Sequence, residues 1–308
     1  MKKKILLGSI ILILILIIFN KYNKTDEVIY EPLYSSISII EKKTYIFGIH
    51  PLHNPKKLFE VYQPLINYLN ANLKDINIIL EASTNYDEYD KKLFSGHFDF
   101  SLPNPYQTVE STKYGYKIFG KMADDYNFRG IILTRKDSNI KEVKDLKGKS
   151  VSYPAPTALA ATMMPQQFLH DNGLDINKDI KNLYVGSQES SIMNLFLKES
   201  SAAATWPPPW IAFQKERPEI ANELEIKWET SSLPNNGLVV KKDIEATLVE
   251  QIASLIFNLH ETNQGKEILK VMELSKFEKA DDKTYESVRV FLDNFEKKIR
   301  PIRLNYDK

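Results

Sequence analysis

The alternation of short strand-like runs with helical ones constrains this chain more than any other feature. Thr44-Tyr45-Ile46-Phe47-Gly48-Ile49 reads as a strand, Pro51 to Pro55 breaks it, and a helix is expected from about Lys56 to Leu73, with Leu58, Val61, Leu65, Tyr68 and Leu69 near helical spacing. The pattern then repeats: Ile76 to Glu81 as a strand, Tyr86 to Phe94 as a helix, Phe98 to Ser101 as a short strand. Beyond Gly130, strands are expected at Ile131 to Thr134, at Lys147 leading into Tyr153, at Leu183 to Val185 and at Ala202 to Thr205. Helices separate them, one from about Thr157 to the Asn172-Gly173 stop and one from Ser187 to Lys198. After Trp228, Leu238 to Val240 is strand-like and the remainder is helical, notably Ile244 to His260 and Tyr285 to Ile299. Such alternation argues for α/β layers around largely parallel sheets.

A length of 308 residues suits two lobes. The chain is expected to cross between them near Phe128 to Gly130 and again near Thr230 to Asn235. That makes one lobe of residues 44–129 plus 231–308 and the other of residues 130–230.

Residues 1–43 stand apart as a membrane segment and tether. From Ile5 to Phe19, thirteen of fifteen positions are apolar, and Lys2, Lys3 and Lys4 precede them. A spanning helix needs roughly 17–25 residues and a signal-peptide core roughly 7–15, so length leaves both readings open. The residues that follow, Asn20-Lys21-Tyr22-Asn23-Lys24, offer no small pair for a signal peptidase. An uncleaved anchor through residues 5–19 is therefore favoured over a cleaved signal peptide, and the leading lysines put the body outside the cytoplasm.

Charge and cysteine content narrow the chemistry. There are 41 Lys plus Arg against 40 Asp plus Glu, and setting aside Lys2, Lys3, Lys4 and Lys21 leaves 37 against 40. A slightly acidic body argues against nucleic acid as a partner, because phosphate binding relies on a basic face. The absence of cysteine removes thiol nucleophiles, disulfides, thiolate-ligated metals and a lipidated N-terminal cysteine. His50 with His53, and His97 with Asp99, lack a third ligand at useful spacing, so no metal is expected. Gly148-Lys149-Ser150 is an incomplete P-loop, and no nucleophile elbow occurs.

Ligands of open α/β sheets sit beyond the carboxyl ends of the strands, so the strand-to-helix turns are the places to look. Tyr153 to Ala158 leads into a helix start of small residues, with Thr157 as its expected N-cap; free backbone N–H groups and the helix dipole there favour an oxyanion. Pro165 complicates that helix, which kinks or starts late. Gly186 to Ser191 is a second helix start, for which plain capping by Ser187 is an equal account. In the third turn, Ser101 to Tyr106, two prolines fix the path and Tyr106 offers a hydroxyl or simply fills a core. Trp206-Pro207-Pro208-Pro209-Trp210 is expected to form a stiff wall bearing two indoles beside the same cleft.

These stretches together resemble the substrate-binding proteins of phosphate/phosphite/phosphonate ABC importers, the PhnD-like group. The matching pieces include Gly48-Ile49-His50-Pro51, Pro103-Asn104-Pro105-Tyr106-Gln107, Ser152 to Pro165, Gly186 to Ile192, Ala202 to Trp210 and Leu233-Pro234-Asn235-Asn236-Gly237, in family order across about residues 44–295. The resemblance implies a type II periplasmic-binding-protein fold, two α/β lobes closing like a hinge on a ligand cleft. It also implies a small oxyanion ligand, an ABC permease as partner, and neither catalytic residues nor a cofactor. Asn104 and Tyr106 are expected to face the ligand from one lobe, Thr157, the Ala158 N–H, Gln188 and Trp206 from the other, and His53 from the first turn. Relatives carry a serine/threonine cluster where this chain has Ala158, Leu159 and Ala160, and often a histidine where it has Gln188, so the backbone must supply more of the grip. A ligand-sensing ectodomain of the same fold, signalling to a membrane partner, is the rival reading.

Overall fold

The alternation resolves into two separate sheets in a computed structural model that describes residues 42–302 and Lys21. The apolar block at residues 5–19 lies outside the described residues. Among those described, no helix is long and apolar enough to cross a membrane.

The first sheet holds β1 (Lys43–Ile49), β2 (Ile76–Ala82), β3 (Phe100–Leu102), β4 (Tyr116–Met122), β10 (Gly237–Lys241) and β11 (Phe277–Lys279), in the order β11-β4-β10-β3-β1-β2. Its helices are α1 (Pro55–Asn72), α2 (Tyr86–Phe94), α3 (Pro105–Ser111), α8 (Ala246–Phe257), α9 (Asn263–Val271) and α10 (Glu286–Lys298). In α1 the Asn54 side chain accepts from the Lys57 N–H, and Pro55 takes a first-turn position where a missing N–H costs nothing. Pro64 lies inside α1, where proline costs about 3 kcal/mol. The helix survives because Leu58, Val61, Tyr62, Leu65, Ile66 and Leu69 are buried along one face, and each aliphatic side chain among them contributes about 1.5–3 kcal/mol.

The second sheet holds β5 (Arg129–Arg135), β6 (Ser150–Tyr153), β7 (Lys181–Tyr184), β8 (Ala202–Thr205) and β9 (Leu224–Ser232), in the order β7-β6-β8-β5-β9. Among its helices are α4 (Met164–Asp171), α5 (Gln188–Phe196), α6 (Pro207–Glu216) and the short α7 (Pro218–Ala221). The all-alanine face of β8 lets α5 approach closely. The Ser191 hydroxyl reaches the Ser152 carbonyl at 2.9 Å and the Ala204 carbonyl at 3.0 Å, which pins α5 across β6 and β8.

Both sheets are mixed, which corrects the expectation of largely parallel ones. β1 pairs in parallel with β2 and β3, and β6 with β7 and β8. β10 runs antiparallel to β3 and β4, β11 to β4, and β5 to β8 and β9. Three of the antiparallel strands, β4, β9 and β11, carry weak sequence signals. β9 is an edge strand with Glu225, Lys227 and Glu229 interleaved among its apolar residues, the charged pattern that protects an edge and hides its strand character.

Two local expectations also change. The helix after β6 does not start at Thr157: its N-cap is Ala158, residues Leu159–Met163 form a π-helical turn, and α4 follows. Pro165 supplies the reason, because it has no N–H for an α-type bond to Ala161 and its ring crowds that carbonyl, which a widened turn relieves. Only Trp206 of the expected two-indole wall borders the cleft. Pro207, Pro208 and Pro209 occupy the first turn of α6, and Trp210 stacks on Phe213 at 6.0 Å inside a core cluster with Ile131, Leu133 and Ile192.

Candidate functional site

The strand ends of the two sheets converge on one cavity. His50 follows β1, Tyr86 opens α2, Asn104 caps α3, and Phe128 lies on the passage into β5. Facing them are Ala158, Leu159, Ala160 and Ala161 of the π turn, Gln188 at the first position of α5, and Trp206 as N-cap of α6. The cavity is tight, about 10 Å³, room for roughly one water, so its walls must part to admit a larger occupant.

The π turn presents unused donors. Its first internal bonds run from the Thr162 and Met163 N–H groups to the Ala158 carbonyl, at 2.8 and 3.2 Å. The N–H groups of Leu159, Ala160 and Ala161 therefore precede the ladder, on residues that all line the cavity. Gly130 on β5 makes room for the turn: a Cβ there would lie 2.6 Å from the Ala160 carbonyl oxygen and 2.7 Å from the Pro165 ring. Only glycine permits that approach.

Side chains around the cavity are held by hydrogen bonds that fix which atoms remain for a ligand. The Thr205 hydroxyl donates to Gln188 Oε1 at 2.8 Å, and Gln188 Nε2 donates to the Tyr86 hydroxyl at 3.3 Å. One amide hydrogen of Gln188 and the phenolic hydrogen of Tyr86 stay available. Asn104 forms a capping box with Gln107, and its Nδ2 donates to the Thr157 carbonyl at 3.1 Å. His50 Nδ1 faces the Leu102 carbonyl at 2.9 Å; a carbonyl can only accept, so Nδ1 carries the proton and Nε2 is an acceptor. Burial pushes the His50 pKa down to about 4, which keeps the ring neutral. Among the described residues, no lysine or arginine lines the cavity.

Asp90, behind the cavity on α2, is the unexpected ionisable group. Its Oδ1 accepts from Gln107 Nε2 at 2.5 Å and its Oδ2 from the Thr157 hydroxyl at 3.1 Å. Burial raises its pKa to about 7 despite those two bonds. The bonds from Asn104 to Thr157, from Thr157 to Asp90 and from Gln188 to Tyr86 all join elements of the first sheet's side to those of the second's, and Lys57 and Glu216 pair at 2.7 Å on the rim.

Of the residues singled out from sequence, Asn104, Ala158, Gln188 and Trp206 come together around this cavity, but the Ala158 N–H expected to face the ligand is instead bonded to the Ala155 carbonyl at 3.2 Å. Thr157 lies just outside the lining and holds the turn through Asn104 and Asp90. Tyr106 is buried at the second position of α3, outside the lining, and burial raises its hydroxyl pKa. His53 lines a neighbouring pocket with Leu52, Asn54, Lys57, Gln188 and Phe213, where burial and the Lys57 ammonium lower its pKa to about 4. His50, Tyr86, Phe128 and Asp90 escape sequence reasoning. His50 had a visible signal, its place directly after a strand in the Gly48-Ile49-His50-Pro51 stretch.

Comparison with known proteins identifies the family and the fold. Residues 47–285 match the family model described as ABC transporter, phosphonate, periplasmic substrate-binding protein. A binding-protein component of an ABC phosphonate transporter from Pseudomonas aeruginosa superposes with a TM-score of 0.77 at 16% identity, over 84% of this chain and 88% of that one. PhnD1 from Prochlorococcus marinus, in complex with methylphosphonate, gives 0.75 at 21% identity, over 83% of this chain and 99% of that one. The aliphatic sulphonate binding protein SsuA from Escherichia coli also shares the fold, at 0.52 and 14% identity over 81% of this chain and 79% of that one.

Proposed function

This chain belongs to the periplasmic substrate-binding proteins of phosphonate ABC transporters, and on that premise we propose that its cavity grips the tetrahedral head of a small phosphonate with neutral hydrogen-bond donors alone. It is the extracytoplasmic binding component of an importer and not an enzyme. The observation that carries the ligand reading is the row of N–H groups at Leu159, Ala160 and Ala161 in a cavity that no cationic side chain lines. Backbone donors at a helix start, aided by the dipole, bind an oxyanion without a formal positive charge. Tyr86 and Gln188 add side-chain donors from the two sides. Asn104 and Thr157 hold the donor-bearing turn, while His53 and Tyr106 support the site from behind it.

Trp206 and Phe128, with ring centroids 5.5 Å apart, form the apolar wall against which the carbon substituent packs. His50 Nε2 is an acceptor, so a monoprotonated phosphonate satisfies it with its P–OH, whereas a dianion would face its lone pair. Affinity for methylphosphonate is therefore expected to fall as pH rises through the ligand's second ionisation.

The moving parts are the lobes of residues 44–129 plus 231–308 and of residues 130–230, hinged near Phe128 to Gly130 and Thr230 to Asn235. Delivery is to an ABC permease, with the body tethered on the outer face of the membrane through residues 5–19. Titration of the protein with phosphate, phosphite and methylphosphonate, followed by tryptophan emission and calorimetric heat, tests the ligand reading. Heat and quenching with methylphosphonate are expected; silence with all three oxyanions would remove the proposal.

A further inference from the structure

Just after α10 lies an arginine, Arg300, that no account of the cavity has used. We propose that Arg300 is a positioning residue for the binding site, stapling together the two ends of residues 156–166, the stretch that carries the cavity-facing amides. The inference rests on the reading of that cavity as the ligand site. Arg300 Nη2 donates to the Pro156 carbonyl at 2.7 Å, and Nε donates to Gln166 Oε1 at 3.0 Å. One rigid guanidinium thus touches the residue before the turn and a residue one helical turn beyond it. A third bond, from Nη1 to the Pro301 carbonyl at 3.4 Å, steadies the segment Arg300 itself belongs to.

The stapled stretch needs outside support. A π turn capped by Ala158 with no side-chain hydrogen bond, and followed by a proline that cannot complete the ladder, is poorly fixed by its own backbone. Asn104 takes the Thr157 carbonyl and Arg300 takes the adjacent Pro156 carbonyl, so two consecutive carbonyls are gripped from outside the second sheet. Gln166 is fully buried and passes the restraint on, with Nε2 donating to Asn182 Oδ1 and to the Tyr184 hydroxyl, both at 3.1 Å.

Arg300 is not an ordinary surface ion pair. Among the described residues no carboxylate lies within ion-pair distance of it, whereas Lys57, Arg129 and Arg135 all have one. Its guanidinium sits instead over the rings of Phe295, at 5.1 Å, and Tyr184, at 6.0 Å. Asn177 Nδ2 donates to the Ile299 carbonyl at 2.8 Å, so the segment is docked on the second-sheet side before Arg300 is reached. Its positive charge is left unneutralised at the end of the turn whose amides face the anion.

The test uses the full-length protein with Arg300→Gln and Arg300→Lys, methylphosphonate as the probe, calorimetry for affinity and amide hydrogen exchange on the ligand-free proteins. Arg300→Gln is expected to weaken methylphosphonate binding by about tenfold, the loss of a hydrogen bond from a charged donor. It should also speed exchange in residues 158–163 while β1 and β2 stay protected. Arg300→Lys should recover part of both, since it keeps the charge and loses the fork. Unchanged exchange in residues 158–163 overturns the proposal whether or not affinity falls, and so does acceleration spread over the whole protein. If the wild type itself ignores methylphosphonate, the ligand reading fails and the exchange pattern alone decides the role of Arg300.

Discussion

Of the helix starts that border the cavity, the one after β6 and the one after β8 differ most in what they offer an anion. At the π turn, Leu159, Ala160 and Ala161 each bring an N–H that precedes the hydrogen-bond ladder. At α6 the corresponding positions are Pro207, Pro208 and Pro209, which have no N–H at all, and the first donor, Trp210, is already bonded to the Trp206 carbonyl at 3.3 Å. Both helices have a dipole, but only one has donors through which to express it. The comparison shows how a site gains polarity within a cavity: one wall holds the charged head, while the other, closed by Trp206, offers only apolar surface.

The contrast can be broken from either end. The largest effect is expected from Ala160→Pro, which gives the π turn the donor deficit of α6; methylphosphonate affinity should fall by about tenfold or more in calorimetry, with the circular dichroism spectrum retained because first-turn proline is tolerated. Gly130→Ala attacks the same turn from behind. Its Cβ would press on the Ala160 carbonyl, so a loss of about 1–3 kcal/mol in urea unfolding, together with weaker binding, is expected.

A smaller effect concerns the grip on Thr157. Because burial raises the Asp90 pKa from the ordinary carboxylate range to about 7, the folded state holds this proton more tightly than the unfolded chain does. The stability Asp90 contributes is therefore complete at the acid end and is lost as pH rises from about 4 to about 7. Asp90→Asn keeps the shape of the protonated acid and should flatten that part of a melting-temperature profile; an unchanged slope would show that Asp90 is ionised in the fold. The smallest effect is expected from Pro207→Ala, which returns one N–H to α6. Affinity should stay within about twofold of wild type, because a single donor beside Trp206 faces the apolar wall. A marked gain would mean that the head group lies nearer α6 than the π turn.

Elements with strong local patterns were legible in the sequence. The stripe from Leu58 to Leu69 and the break at Pro51 to Pro55 define α1 within a residue at each end, and Val151 to Tyr153 and Ala202 to Thr205 mark strands of the second sheet. β4 was hidden because its charged and apolar residues mix without clean alternation, β9 because it is a charged edge, and β11 because three residues hold too little pattern. In the site, the strand-end turns around Asn104, Ala158, Gln188 and Trp206 could be found by rule, since ligands of such sheets gather there. Tyr86 and Asp90 could not, because their roles come from partners 102 and 67 residues away, and although the place of His50 after a strand was visible, its tautomer comes from a partner 52 residues away.

What the sequence determined by itself is everything that depends on neighbours within a turn or two: the periodicities, the caps at Asn54, Asn104 and Ser187, and the proline run that strips α6 of donors. The tertiary structure alone decided which helix starts share a cavity, that His50 is neutral with Nε2 left over, and that Arg300 reaches back to Pro156 across 144 positions. The reason is range. Propensity and capping act through bonds a few residues long, whereas burial, tautomer and the meeting of opposed walls are set by groups that only folding brings together.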